Sequence, residues 1–208
     1  MSDFRQTMEK NNRMLENGFS NQPLPFHHYE GKKSLINAWK DFVGNEHKNI
    51  SVRADLTFKR SRKVYHPSIG RQEPYAQVLR ITEGDAVMNI GAFCNRLNYA
   101  SYKHAYKRYG RRLDVISCIE GGRKQLREKM PDGDAFKEMH CHLLLERPNH
   151  ISYTDFEILV KKLWMDTEWG NTQHYIKPIR NLYASAKYNV KSSLDSLDLT
   201  NTYLNTKV

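Results

Sequence analysis

Residues Ile50-Ser-Val-Arg-Ala-Asp-Leu-Thr-Phe-Lys59 alternate apolar and polar at every step. A helix would scatter that pattern around its surface, whereas a strand collects Ile50, Val52, Ala54, Leu56 and Phe58 on one face. A strand leaves its backbone groups unpaired until neighbours join it, so the chain must supply more strands. Tyr75–Ile81 alternates more weakly, as one partner. Arg112–Glu120 and Met139–Leu145 are apolar runs separated by a charged connection that contains Gly and Pro, which reads as an antiparallel hairpin with a long loop. His174–Lys177 is a short strand.

Helices interleave with these strands. Leu35, Ile36, Trp39 and Phe42 have helical spacing and Gly44 stands where a stop belongs; a second helical pattern runs from about Asp85 to Tyr109, closing at Gly110. Thr154-Asp-Phe-Glu157 has the form of a capping box for a helix reaching Met165, with a turn through Trp169-Gly-Asn171. Pro178 is suited to open a last helix over 179–192. The fold class expected is α+β, a central antiparallel sheet flanked by helices. Residues 1–30 read as a flexible arm, 31–193 as the domain, and 194–208 as a polar tail that frays.

The chain of 208 residues carries 33 Lys and Arg against 23 Asp and Glu, a net charge of +10. Such a surplus attracts polyanions, which makes nucleic acid the first partner to test. No apolar run reaches the length of about 18 residues that a membrane helix needs. Cys94, Cys118 and Cys141 are three in number and lack zinc spacing, which fits a reducing cytoplasm without disulfides.

The densest chemical signal is His140-Cys-His142. Side chains two apart on a strand share a face, so His140 and His142 present two imidazoles together while Cys141 points the other way. Glu120 ends the preceding strand before Gly121-Gly122; antiparallel pairing would bring its carboxylate to the two histidines. Glu146, at the other end of the histidine strand, is an equally acidic rival. Two imidazoles and a carboxylate leave open positions for substrate oxygen on Mg²⁺ or Mn²⁺. The bland alternative is a pair of structural histidines.

A second signal lies on the final helix, where Tyr188 precedes Lys191 by three positions and Tyr183 precedes Lys187 by four, each pair on one face. A phenol beside a cation and a metal suits covalent attack on phosphate. For DNA contact, Lys59, Arg60, Arg62 and Lys63 form one basic group. A tyrosine stripe (Tyr99, Tyr102, Tyr106, Tyr109) interleaved with Lys103, Lys107, Arg108, Arg111 and Arg112 forms another, unless the stripe is the core face of its helix.

Taken in order, Ala54-Asp-Leu-Thr-Phe58, His140–Glu146 and Ala186-Lys-Tyr-Asn-Val-Lys-Ser192 resemble the three motifs of the HUH endonucleases, and more closely the rolling-circle replication initiators of plasmids and phages. The resemblance covers roughly residues 50–193. It implies a sheet that carries the metal, a tyrosine helix beside it, nicking of single-stranded origin DNA through a 5′-phosphotyrosine, and a free 3′-hydroxyl for a host DNA polymerase. It also implies Glu120 as third ligand. Family members with paired tyrosines keep three residues between them, about 40° apart on a helix; Tyr183 and Tyr188 stand about 140° apart and cannot both serve one phosphate. The three-residue step to Lys191 selects Tyr188, with Tyr183 and Lys187 in reserve. The sequence holds no phosphate-binding Gly-x-x-x-x-Gly-Lys segment, so a separate helicase is expected. The resemblance places the protein in the cytoplasm of a bacterial or archaeal host, away from membranes. A single-tyrosine transposase would use the same chemistry, and a non-catalytic basic DNA-binding regulator is the reading from another class.

Overall fold

The computed structural model describes residues 32–66, 75–121, 138–190 and 196–204. The arm at 1–30, most of the loop after Gly121, and Lys191 lie outside the described residues. Eleven elements follow in chain order: α1 (Lys32–Glu46), β1 (Ile50–Phe58), β2 (Ser61–His66), β3 (Tyr75–Arg80), α2 (Glu83–Tyr102), α3 (His104–Tyr109), β4 (Val115–Glu120), β5 (His140–Glu146), α4 (Tyr153–Met165), β6 (Gly170–Pro178) and α5 (Leu182–Asn189). The class is α+β, and the main sheet has the order β4-β5-β1-β6 with every pairing antiparallel.

Both faces of this sheet are covered. On one face Val52, Ala54, Leu56 and Phe58 of β1 and Cys141, Leu143 and Leu145 of β5 pack against Ile90, Phe93 and Leu97 of α2 and Phe156, Val160 and Trp164 of α4. Trp164 anchors that layer, edge-on to Phe58 and Phe93, with its Nε1 donating to the Thr57 carbonyl at 3.1 Å. On the other face Ile116 and Cys118 of β4 and Leu144 of β5 meet Trp39 and Val43 of α1 and Ala186 and Val190 at α5. Ile50 joins this second layer rather than its expected set. The register shifts between Ile50 and Val52, and one extra residue turns a side chain to the opposite face.

Several boundaries differ from the expected ones for identifiable reasons. Gly44 does not stop α1: a Cβ there would lie 2.5 Å from the Tyr183 ring, so the glycine makes room for an aromatic side chain arriving from α5. The expected helix from Asp85 to Tyr109 is two helices, broken at Lys103 with φ 49° and ψ −117°. Ser152, not Thr154, caps α4, its Oγ accepting from the Asp155 N–H at 3.1 Å. Pro178 ends β6 instead of opening a helix, and Asn181 caps α5. After the short connection Lys59-Arg60 the chain forms β2, which pairs with β3 as a separate two-stranded ribbon.

Residues 196–204 do not fray. They lie along the β4 edge, with Tyr203 bridging to Val115 and Leu197 to Cys118, while Asp198 N–H donates to the Ser117 carbonyl at 2.8 Å. Asn201 Nδ2 reaches the Val87 carbonyl of α2 at 2.8 Å, tying this segment to the first layer.

Candidate metal centre

Strand pairing assembles the centre. In the β4–β5 hairpin Glu120 stands opposite His140 and Cys118 opposite His142, so the Glu120 carboxylate and both imidazoles share the face that α1 and α5 cover. Glu120 Oε2 lies 3.4 Å from His140 Nε2 and 3.5 Å from His142 Nε2. The three ligand atoms all fall within 4.8 Å of one another. A metal bonded at about 2.1 Å holds neighbouring ligand atoms roughly 3.0–3.4 Å apart, so small side-chain movements would close the set around one ion.

The outer ring nitrogens are held in the way a metal site needs. His142 Nδ1 lies 2.6 Å from Asp55 Oδ1, and His140 Nδ1 lies 3.1 Å from the Glu138 carbonyl. With each Nδ1–H donated to oxygen, the lone pair of each ring rests on Nε2, facing Glu120. His142 Nε2 is buried and makes no hydrogen bond among the described residues. The donor set therefore fits a divalent cation, which these residues could hold.

Gly121 supports this arrangement. Its φ is 96°, and a Cβ there would lie 2.6 Å from the Glu138 carbonyl oxygen, the same atom that orients His140.

Asp55 was not singled out from sequence, nor was Arg53. Arg53 grips Asp55 with two hydrogen bonds, Nε to Oδ1 at 2.9 Å and Nη2 to Oδ2 at 2.7 Å. Burial works against the Asp55 carboxylate, yet His142 and Arg53 outweigh it and hold its pKa below the usual carboxylate value. Burial likewise opposes charge on His142, but Asp55 and Glu120 raise its pKa above that of a free imidazole. For Arg53 burial is again outweighed, by Asp55 and Tyr188. The available signal was that Arg53, Asp55 and Thr57 share the polar side of β1, a side that reads as solvent until helices are known to cover it.

The two tyrosines of α5 part company. The Tyr188 ring stands 5.3 Å from the His142 ring at 82°, and the Arg53 guanidinium lies 3.8 Å over its face. Tyr183 points away, its ring over Gly44 and its hydroxyl donating to Asn45 Oδ1 at 2.6 Å. Lys187 is exposed. Glu146 sits at the far end of β5, accepting from the Asp114 N–H at 2.9 Å, and is no part of the histidine group. Cys141 faces the opposite layer, and burial pushes its thiol well above the ordinary value and Cys94 up to about 12.

The basic residues fall into two separate groups. Lys59 and Arg62 fold back on the body: Lys59 Nζ lies 3.4 Å from the Glu168 carbonyl, and Arg62 pairs with the Glu168 carboxylate at 2.5 Å and overlies Trp169. Arg60 and Lys63 are exposed, at the end of the sheet where Thr57 pairs with His140. The other group lies beyond the opposite end of β4, about 17 Å along the strand from Glu120. There Lys103 and Lys107 approach the Tyr99 ring, Arg111 overlies Tyr102, Arg112 overlies Tyr106, and Arg108 is exposed. The tyrosines do not make one stripe, because the break at Lys103 divides them. Tyr102 packs on the core and Tyr106 donates to Asn95 Oδ1, whereas Tyr99 and Tyr109 are exposed.

Among the described residues no helix is long and apolar enough to cross a membrane. Compared with protein-family models, with curated proteins and with solved structures, the chain matches none.

Proposed function

We propose that this chain is an HUH-type nickase and joinase of single-stranded DNA that starts rolling-circle replication of a plasmid, phage or satellite. The observation that carries the reading is the Tyr188 ring, 5.3 Å from that of His142 and beside the Glu120, His140 and His142 group. A phenol next to a metal-ligand set is the minimum that covalent attack on a phosphodiester requires. The order of first strand, histidine strand and tyrosine helix supports the same family resemblance.

In this reading Tyr188 Oη attacks the phosphorus, forming a phosphotyrosine bond as the bond from phosphorus to the 3′ oxygen breaks. The phenol gives up its proton and the departing 3′ oxygen takes one up. The products are a 5′-phosphotyrosine and a free 3′-hydroxyl, and attack by a 3′-hydroxyl reverses the step and rejoins the strand. The Arg53 guanidinium, 3.8 Å over the Tyr188 ring, places a positive charge beside the attacking phenol. Asp55 fixes both this guanidinium and the His142 ring. Held by Nε2 of His140 and His142 and an oxygen of Glu120, Mg²⁺ or Mn²⁺ would supply positive charge for the phosphoryl oxygens. A separate helicase would open the origin and a host polymerase would extend the 3′-hydroxyl, in the cytoplasm of a bacterial or archaeal cell.

The test is incubation with Mn²⁺ and a pool of single-stranded oligonucleotides, followed by denaturing electrophoresis. A protein–DNA adduct that survives denaturation and disappears in Tyr188→Phe is the expected result. An oligonucleotide pool that stays intact, with no adduct, would overturn the reading in favour of a DNA-binding protein with structural histidines.

A further inference from the structure

Asp55 pairs with His142 on one side and with Tyr175 of β6 on the other, so a single cross-strand row carries His142, Asp55 and Tyr175. Opposed residues in an antiparallel sheet share a face, and the hydrogen bond from His142 to Asp55 identifies this face as the one bearing the metal group. Tyr175 is 59% exposed on it. Between Tyr175 and His140 lies a groove of about 290 Å³, lined also by Asp55, Thr57 and Gln173. Lys177, two positions along the same strand face, holds its Nζ 5.2 Å from the Tyr175 ring.

We infer that Tyr175 is the stacking platform for a base flanking the scissile phosphate, with Lys177 contacting the adjoining phosphate. The inference rests on the nickase reading and adds to it a subsite for the substrate. Three features converge on it. Among the described residues no element covers the large aromatic ring of Tyr175, which stands in the row that carries His142. The groove is at the small end of ligand sites, of the order of 300 Å³, and suits one ring-sized group. An aromatic face with a neighbouring cation is the combination that binds single-stranded nucleic acid without regard to base identity. Of the other exposed tyrosines, Tyr65 on β2, Tyr99 on α2 and Tyr109 on α3 lie off this sheet, and all of them except Tyr65 and Tyr109 are less exposed than Tyr175.

The test is a cycle between protein and ligand, read as binding in EDTA so that cleavage does not intervene. Fluorescent oligothymidylate and an abasic deoxyribose-phosphate oligomer of the same length are titrated against wild type, Tyr175→Ala and Tyr175→Phe. Wild type and Tyr175→Phe should prefer the base-bearing strand, and Tyr175→Ala should lose roughly 5- to 100-fold of affinity for it with little change toward the abasic strand. Lys177→Gln should weaken both strands and lower the salt slope by about 0.7. Equal affinity of wild type and Tyr175→Ala for oligothymidylate, while the Mn²⁺ reaction still yields the adduct, overturns the subsite alone. The base-dependent loss without any adduct overturns the nickase and leaves Tyr175 as a base-stacking residue of a non-cleaving DNA-binding protein. A wild-type protein that binds neither strand overturns both.

Discussion

Asp55 Oδ1 lies 2.6 Å from His142 Nδ1, joining a strand near the start of the described chain to the strand that carries both histidines. The contact fixes which nitrogen of His142 faces Glu120, and it is made by a residue that is not itself one of the three ligands. Removing such a partner commonly costs 10–100-fold in metal affinity. Asp55→Ala should therefore weaken Mn²⁺ binding by roughly that factor in calorimetry, with the three ligands untouched. Unchanged affinity would mean that the His142 ring is oriented by packing instead.

The ligand set itself is tested by stability. An ion that binds only the folded state raises the melting temperature, by about 2.7 kcal/mol of stability at 100 times its dissociation constant. Mn²⁺ should raise the melting temperature of wild type and leave that of the His140→Ala, His142→Ala double variant where it was. A full Mn²⁺ shift in the double variant would remove these histidines from the site.

Gly121→Ala probes the support beneath His140. The added Cβ would meet the Glu138 carbonyl at 2.6 Å, in a backbone conformation with φ 96° that L side chains rarely adopt. The strain and the displaced carbonyl should cost about 1–3 kcal/mol and weaken Mn²⁺ binding as well. Loss of stability with unaltered Mn²⁺ affinity would show that the carbonyl does not position the ring.

On the proposed mechanism Tyr188→Phe should abolish the covalent adduct while leaving stability and DNA binding nearly intact, because it removes only the oxygen assigned to the attack. Tyr183→Phe should keep the adduct and lose the hydrogen bond to Asn45. Gly44→Ala should lower the melting temperature by crowding the Tyr183 ring, again with the adduct retained. An adduct that persists without Tyr188 and vanishes without Tyr183 would reverse the assignment.

Glu146 gives a pH test away from the metal group. Burial raises its pKa above the usual carboxylate value, against the Asp114 N–H bond and the Arg111 charge. The folded chain then holds a proton that the unfolded chain has already released, so the stabilising contribution is complete below the unfolded value and is lost as pH rises through the folded one. Glu146→Gln should show less decline in stability than wild type from about pH 4 upward, with Mn²⁺ binding unchanged. Parallel stability curves would mean that the carboxyl titrates alike in both states.

The strict alternation in β1, the apolar runs of β4 and β5 and the helical spacings were legible because each reports burial within a few consecutive residues. The Glu120, His140 and His142 group was legible for a related reason: consecutive strands of a hairpin must bring the end of one beside the start of the next, so the group follows from local connection alone. Asp55 could not be read in this way. Its contact spans 87 positions and exists only because β1 inserts between β5 and β6. Tyr175 depends on the same insertion. Gly44 resembled a helix stop because its reason for being a glycine, the Tyr183 ring, arrives from the far end of the chain, and the polar segment 196–204 resembled a frayed tail because its partners are the backbone and side chains of β4 and α2. Periodicity registers which face of an element is buried, but the choice of neighbour belongs to long-range packing, and the seating of α5 against α1 and the sheet is what sets Tyr188 and not Tyr183 beside His142.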